Sequence, residues 1–237
     1  MDFTVIGVDG DDTLWHSEGH FVLTEQRFTE LLAPWVDAET VHATLLETER
    51  RNLRHFGYGV KGFTLSMVET ALQLTDHRVD GRRIEEIIGL GKELLAHPVE
   101  LLDGVADTLE VLARRYRLVL VTKGDLFHQE SKVAASGVAE RFERIEIVAE
   151  KDVPTYARVL ARMGVAPAAF CMVGNSVRSD IVPVLELGGA GIHVPYHVTW
   201  ALEHAEVELG HPRMAGVAGI REVPDAIAAL EAERWAA

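Results

Sequence analysis

The chain begins with a short apolar run of strand length that ends at a cluster of acidic residues. Thr4, Val5, Ile6 and Val8 are all β-branched, and the run stops at Asp9. Such a run is typical of a strand buried on both faces of a parallel sheet. Ligands of parallel sheets bind beyond the carboxyl ends of the strands, so the acidic residues after this run are predicted to border a site.

Helical spacing of apolar residues replaces the strand pattern after the acidic cluster. The spacing starts near Phe21, and a Gly-rich stretch at 57–62 separates two of the predicted helices. The third and fourth predicted helices cover residues 63–74 and 82–95. We therefore expect residues 15–97 to form an all-helical insertion.

Strand and helix patterns alternate over the remainder of the chain. This alternation indicates right-handed βαβ units and a parallel sheet with helices on both faces, so the predicted fold class is α/β. We assign residues 1–14 and 98–237 to this core and residues 15–97 to the inserted helical cap. The predicted core strands after the first are 118–121, 145–148, 170–173, 191–194 and a short strand at 219–220. The predicted core helices are 105–114, 127–135, 156–163, 180–187 and 225–237.

Composition and charge favour a globular protein that acts on a small molecule. The chain has 237 residues, and 48% of them are hydrophobic, which is enough for a sizeable core. The 23 Lys and Arg residues against 37 Asp and Glu give a net charge of −14. This acidic balance disfavours nucleic acid and anionic membranes as partners. The oligomeric state is left open between monomer and homodimer.

The cellular compartment is predicted from the single cysteine and from the N-terminal sequence. Cys171 lies in an apolar segment, and one cysteine excludes a disulfide within the chain, which favours a reducing compartment. The N-terminal run is shorter than a signal peptide and lacks a basic flank, and no stretch is long enough to span a bilayer. We therefore expect a cytoplasmic protein. The eleven histidines show no paired ligand spacing, so no transition metal is expected.

Polar residues follow the predicted strands, directly after the apolar runs. The carboxyl ends of parallel strands share one edge of the sheet, so these residues are expected to converge. Carboxylates that lie close together repel each other and need a cation, a shared proton or a basic partner, and magnesium is the obvious candidate. Taken alone, the acidic stretch is equally compatible with a turn in which Asp12 and Thr13 cap a helix. The converging residues are Asp9 and Asp11, Thr122, Lys151, and Asn175 with Asp180.

These residues resemble the motifs of the haloacid dehalogenase-like hydrolase superfamily. The stretch D-G-D-D-T at 9–13 resembles the first motif, Thr122 the second, Lys151 the third, and the stretch at 174–180 the fourth. The position of the helical insertion is similar to that of the C1-type cap in this family. The resemblance implies a Rossmann-like core, an aspartyl-phosphate intermediate and a magnesium ion (Mg2+).

The chemistry of the residues fits the roles that the resemblance implies. The Asp9 carboxylate is a nucleophile able to attack phosphorus and form an acyl phosphate. Asp11 would protonate the leaving alkoxide and then deprotonate the attacking water. The Thr122 hydroxyl can donate a hydrogen bond to a phosphoryl oxygen, and Lys151 supplies a compact cation for the nucleophile and the phosphate.

Magnesium ligands are expected from the first and fourth motifs. The resemblance implies the Asp9 carboxylate and the Asp11 main-chain carbonyl, together with a side chain of the fourth motif. Where the family commonly has Gly-Asp, this chain has Gly-Asn, so Asn175 offers a neutral amide oxygen in place of a charged ligand. Asp180 is the alternative direct ligand, and the sequence leaves the choice between the two open.

Substrate-binding residues are expected after the second motif and in the Gly-rich turn of the cap. Lys123 follows the second motif, and Asp125 adds a second charge that is either a surface ion pair with it or a substrate contact. Tyr58 and Lys61 lie in the turn of the cap. Trp15, between core and cap, is more typical of packing than of recognition.

The predicted function is magnesium-dependent hydrolysis of a small phosphomonoester. The acid at position 11 favours a phosphatase, because the dehalogenase and phosphonatase branches of the resembled family usually lack an acid there. One alternative is a phosphotransferase or mutase that passes the phosphoryl group to another hydroxyl. The other is a weakly catalytic binding or regulatory protein that retains the site.

Overall fold

The structure of the protein, a computed structural model, describes residues 2–203 and 211–233. The last residues of the predicted terminal helix, 234–237, lie outside these ranges. Within them, no helix combines the length and the apolar character needed to cross a membrane.

The described chain forms two compact units. The first, called the sheet unit, contains the chain up to Glu18, Val99–Lys123 and the residues from Gln129 onward. The second, called the helical unit, contains Gly19–Pro98 and Gly124–His128. The short segment after Lys123 therefore belongs with the helices, although core elements flank it in sequence.

Four helices account for most of the helical unit: α1 (Glu18–Leu32), α2 (Ala38–Phe56), α3 (Val60–Leu74) and α4 (Gly81–Leu95). Two of them begin at aspartate caps, since Asp37 accepts a hydrogen bond from the Thr40 backbone nitrogen and Asp80 from that of Arg83. Apolar side chains at helical spacing pack together on the inner faces of these helices. This core includes Phe28, Leu45, Met67 and Ile87.

A parallel sheet forms the centre of the other unit. Its strands are β1 (Val5–Val8), β2 (Arg117–Lys123), β3 (Arg144–Val148), β4 (Phe170–Gly174), β5 (Ala190–His193) and β6 (Met214–Gly216). They lie in the order β3-β2-β1-β4-β5-β6. β1 is central, because Val8 pairs with Leu120 on one side and with Val173 on the other.

Helices cover both faces of this sheet. They are α5 (Val105–Ala113), α6 (Leu126–Ala135), α7 (Val153–Met163), α8 (Val182–Glu186) and α9 (Val223–Glu233). Successive side chains of a strand point to opposite faces. Ile6 and Val8 of β1 accordingly join the core beneath α5 and α9, and Val5 joins the core beneath α7. The predicted α/β fold with a parallel sheet and helices on both faces is confirmed.

The predicted short strand at residues 219–220 is wrong. The sixth strand lies earlier, where Met214 pairs with Gly191 of β5. Ile220 instead opens a 3-10 turn and buries its side chain in the core. A β-branched residue favours a strand, but Ile220 is buried here from a turn.

The helix predicted at 180–187 has a different start. The chain first makes a π-helical turn at Val177–Ile181, and α8 follows it. Pro183 lies in the first turn of α8, where its missing N–H costs no hydrogen bond. Asp180, one of the predicted site residues, lies in the π-helical turn and not in α8.

Candidate active site

β1 brings Asp9 to the carboxyl edge of the sheet. The Asp9 backbone nitrogen donates to the Val173 carbonyl oxygen at 2.9 Å, so pairing with β4 continues to this residue. The Asp9 side chain is buried. Because β1 is the central strand, Asp9 lies where ligands of parallel sheets bind.

Lys151 joins the carboxylates of Asp9 and Asp180. Its Nζ contacts Oδ1 of Asp9 and lies 2.7 Å from Oδ1 of Asp180, and all three side chains are buried. The lysine directly precedes the N-cap of α7, where Asp152 accepts a hydrogen bond from the Thr155 backbone nitrogen at 2.9 Å. The capped helix start therefore fixes the backbone that presents Lys151.

The π-helical turn and a glycine hold Asp180 in place. The Ser176 backbone nitrogen donates to Oδ2 of Asp180 at 3.0 Å. A Cβ added at Gly174 would lie 2.2 Å from the same oxygen. The glycine of the fourth motif is thus required for the close approach of the Asp180 carboxylate.

Burial and an unequal charge count determine the electrostatics of this cluster. Burial, with the nearby Asp180 carboxylate, raises the pKa of Asp9 to about 7 against the opposing effect of Lys151. Burial alone would lower the pKa of Lys151, but the Asp180 and Asp9 carboxylates outweigh it and raise that pKa above its usual value. Two carboxylates share one ammonium group, which leaves an excess negative charge in a buried place.

The Thr13 hydroxyl links the first and fourth motifs. Its Oγ1 lies 3.2 Å from Oδ2 of Asp9 and 3.4 Å from Oδ1 of Asn175, and it accepts a hydrogen bond from the Asn175 backbone nitrogen at 3.0 Å. The two side-chain oxygens therefore lie around one hydroxyl. Of the two residues predicted to cap a helix, Asp12 does so: its Oδ1 accepts hydrogen bonds from the backbone nitrogens of Ser17 at 2.8 Å and of Glu18, the first residue of α1, at 3.1 Å.

The residues of this site fit a hard cation that keeps several water ligands. Among residues 2–203 and 211–233, no group of three or more His, Cys, Asp and Glu side chains is arranged to hold a metal ion. Oδ2 of Asp9 and Oδ1 of Asn175 are nevertheless neighbouring oxygen donors beside an excess negative charge. Both oxygens of Asp180 already accept hydrogen bonds, from Lys151 and from the Ser176 backbone. Magnesium, which usually takes few protein oxygens and retains water, suits this donor set.

Asp11 has a separate set of partners. Its Oδ1 accepts from Trp15 Nε1 at 2.6 Å and from Lys132 Nζ at 2.5 Å, and its Oδ2 accepts from Gln129 Nε2 at 2.8 Å. Burial alone would raise the pKa of Asp11, but the Lys132 ammonium and the three hydrogen bonds hold it below its usual value. Trp15 is fully buried, and it is a hydrogen-bond donor to the site as well as a packing residue.

Thr122 and Lys123 end β2 beside the first motif. Thr122 is 1% exposed, and a Cβ added at Gly10 would lie 3.3 Å from its Oγ1, so the two chain segments are in close contact. Lys123 Nζ contacts Glu203 and lies 2.9 Å from Ser179 Oγ. Lys123 and Asp125 each have a partner of opposite charge, Glu203 and Lys61 respectively, and a substrate contact by either residue stays a prediction.

Asp125 pairs with Lys61 inside the helical unit. Lys61 Nζ lies 3.0 Å from both oxygens of Asp125. The Lys61 ammonium is also 5.7 Å from the centre of the Phe127 ring. Tyr58, three residues before Lys61, is half-buried. Substrate binding by Tyr58 and Lys61 stays a prediction.

Sequence reasoning missed three residues with contacts in the site. Gln129 and Lys132 lie on α6, and their spacing of three residues resembles an ordinary helix face. Glu203 follows a stretch without periodicity, so no local signal marks it. Its carboxylate contacts Lys123, Ser176 Oγ at 2.6 Å and Ser179 Oγ at 2.5 Å.

Comparison with known proteins gives both a family match and structural neighbours. A family model described as haloacid dehalogenase-like hydrolase matches residues 3–185. A curated N-acylneuraminate-9-phosphatase from Mus musculus is 32% identical over 126 residues, which is 51% of this chain and 51% of that protein. The chain thus spans about half the length of the curated relatives that it matches.

Among solved structures, a haloacid dehalogenase-like family hydrolase from Xanthomonas campestris is 44% identical. That match covers 98% of this chain and 93% of the other, with a TM-score of 0.89. A 2-haloacid dehalogenase from Pseudomonas syringae pv. Tomato is 20% identical, with a TM-score of 0.63 and coverage of 96% of this chain and 99% of the other. This last likeness concerns the fold alone.

Proposed function

The chain belongs to the haloacid dehalogenase-like hydrolase family, and on this premise we propose that it is a magnesium-dependent phosphomonoester hydrolase. The family and the hydrolase class predicted from the motifs are confirmed by these matches. The observation that most supports covalent hydrolysis is the position of Asp9. Its carboxylate ends the central strand and is held by Lys151 on one oxygen and by Thr13 on the other.

The reaction proceeds in two steps through Asp9. In the first, an Asp9 oxygen attacks phosphorus and the bond from phosphorus to the ester oxygen breaks. Asp11, whose donors favour the ionised form, must take up a proton before this step, and it gives that proton to the departing alkoxide. In the second, Asp11 takes a proton from water, which attacks the acyl phosphate and releases inorganic phosphate and free Asp9. Thr122 donates a hydrogen bond to a phosphoryl oxygen, and Lys151 stabilises the charge that develops there.

Magnesium would be held by the Asp9 carboxylate, the Asp11 main-chain carbonyl and the Asn175 amide oxygen. When bound, it neutralises the phosphate and offsets the excess negative charge around Lys151. Asp180, whose oxygens accept hydrogen bonds from Lys151 and the Ser176 backbone, then acts by orienting Lys151.

Asp11 distinguishes a phosphatase from a dehalogenase on this fold. The solved neighbours include a 2-haloacid dehalogenase, so the fold does not decide between the reactions. Departure of an alkoxide from phosphorus needs a proton donor, whereas departure of halide does not. The curated relative named as a phosphatase agrees with this choice.

We propose that the helical insertion, residues 15–97, is the cap that determines substrate specificity. Tyr58 and Lys61 of this insertion would bind the substrate. Lys123, at the end of β2, would also contribute to substrate binding. The substrate is a small phosphorylated metabolite, and neither nucleic acid nor a membrane is a partner. The protein acts in the cytoplasm as a monomer or homodimer.

Phosphate release tests the proposal directly. The purified protein is assayed with magnesium against sugar, sugar-acid, nucleotide and small-acid phosphates, including an N-acylneuraminate 9-phosphate because a curated relative is named for it. We expect phosphate release that a chelator abolishes. No release from any ester, or halide release from a 2-haloacid, would contradict the phosphatase assignment.

A further inference from the structure

We propose that Gln129 and Lys132 are positioning residues that hold the Asp11 carboxylate in the orientation needed for proton transfer. The proposal rests on the function proposed above. It concerns α6, a helix that the motifs of the first strand do not include. Gln129 and Lys132 with Trp15 are called the Asp11 clamp.

The two α6 residues donate hydrogen bonds to different oxygens of the Asp11 carboxylate. Lys132 Nζ lies 2.5 Å from Oδ1, and Gln129 Nε2 lies 2.8 Å from Oδ2. Residues three apart on a helix lie on the same face, so both side chains extend from α6 toward one carboxylate. Trp15 Nε1 adds a third donor to Oδ1 at 2.6 Å. Donors on both oxygens fix the plane of the carboxylate.

Gln129 also connects the Asp11 clamp to the end of β2 by a second hydrogen bond. Its Nε2 donates to the Lys123 carbonyl oxygen at 2.8 Å as well as to Asp11. Rotating the amide by 180° would place its own oxygen against two acceptors, so this orientation is fixed. Thr122 precedes Lys123, and the clamp therefore connects the acid of the first motif with the strand that presents the second.

One feature of Gln129 is unfavourable for stability. Gln129 is 3% exposed, and its Oε1 has no hydrogen-bond partner among the described groups. A buried acceptor without a donor is costly, and an apolar residue of similar size would avoid that cost. The two bonds that Nε2 makes, one of them to Asp11, offset this cost.

The test compares two substrates that differ in their leaving group. A loss of Asp11 positioning should slow only the substrate whose leaving group needs a proton, whereas a general structural effect should slow both. Lys132→Met is compared with the wild type in single-turnover phosphorylation of Asp9, using p-nitrophenyl phosphate and an alkyl phosphate of the substrate panel. Only the alkoxide needs the proton from Asp11. We expect a loss of about 100-fold with the alkyl ester and of less than about 3-fold with the aryl ester.

The same substitution is then made in the Asp11→Asn background. If Lys132 acts through Asp11, Lys132→Met should change the alkyl-ester rate of Asp11→Asn by less than about 2-fold, because coupled residues are not additive. Lys132→Arg should recover most of the wild-type rate. Glu130→Met, on the exposed side of α6, is the matched control and should leave both rates unchanged.

Equal losses on the two esters, a loss that persists in the Asp11→Asn background, or no loss at all would each overturn the proposal. Gln129→Leu is measured in the same cycle, so the test stands even if Lys132→Met does not fold, as judged by circular dichroism. A wild-type protein that releases no phosphate would instead refute the proposed function, which is established first.

Discussion

Asp9 and Asp11 lie two residues apart, yet their surroundings differ in one decisive respect. Each carboxylate contacts the ammonium group of a buried or nearly buried lysine. Asp9 shares Lys151 with Asp180, whereas Asp11 has the contact with Lys132 and two neutral donors besides. The pKa of Asp9 is accordingly raised to about 7, and that of Asp11 is lowered.

The comparison shows that the ratio of charges matters more than the presence of a lysine. Two carboxylates with one ammonium leave a negative excess, which a metal cation would offset. One carboxylate with one ammonium is balanced and needs no further ion. Asp9 is thus suited to a site that holds a cation, and Asp11 to a role in which its orientation is fixed by protein donors.

Removing Asp9, the proposed nucleophile, should give the largest effect. Asp9→Asn should lower kcat by about 10⁴-fold or more, because the amide oxygen does not form the acyl phosphate. Turnover is measured by phosphate release, with Asp2→Asn, an exposed position, as the control. Near-normal turnover of Asp9→Asn would exclude covalent catalysis through this residue.

Removing the second acid should give a smaller and different loss. Asp11→Asn should lower kcat by about 10²–10⁴-fold, the usual contribution of general acid–base catalysis. With p-nitrophenyl phosphate it should still release nitrophenol in a burst, followed by accumulation of phosphorylated protein that mass spectrometry detects. Absence of both burst and adduct would place Asp11 in the first step for every ester.

The magnesium requirement should separate Asn175 from Asp180. Asn175→Asp adds an anionic ligand and should lower the magnesium concentration for half-maximal activity by about 10-fold. Asp180→Asn should mainly lower kcat, because it releases Lys151, and should change the magnesium requirement by less than about 3-fold. A larger change in magnesium requirement for Asp180→Asn than for Asn175→Ala would make Asp180 the direct ligand.

The smallest expected effect is on stability in the absence of metal. The pKa of Asp9 is raised from 3.8 to about 7 by folding, so the native state binds the extra proton between these values. Stability from this group is therefore lost as the pH rises toward and through 7. Between pH 5 and pH 8 with chelator, the Tm of the wild type should fall by a few degrees more than that of Asp9→Asn. Parallel curves would indicate that Asp9 stays ionised.

Residues at the ends of buried strands could be predicted from the sequence, because one local pattern defines both the strand and its end. Asp9 directly follows the buried strand β1, Thr122 lies at the end of β2, and Lys151 lies three residues after β3, whose residues are exposed or half-buried. The structure brings Asp9 and Lys151 into contact. The partners of Asp11 could not be found in this way. Gln129 and Lys132 face the site only because of how α6 packs, which is a long-range property.

Prediction of secondary structure from the sequence failed where local preference and tertiary packing disagree. β6 contains Met214 and Gly216, residues with little strand signal, and it forms by pairing with β5. The π-helical turn that carries Asp180 has no sequence signature of its own. Both features depend on neighbours that are distant along the chain.

The position of the helical unit between β1 and β2 has a consequence for chain-closure entropy. Val5 pairs with Arg117, so the helices lie within the loop that this pairing closes. The free-energy cost of closing a loop grows only with the logarithm of its length, about 0.6 kcal/mol for each doubling. A longer, shorter or unrelated helical insertion would therefore change sheet stability little. Both neighbours of β1 are nevertheless distant in sequence, and such non-local pairing is expected to slow folding.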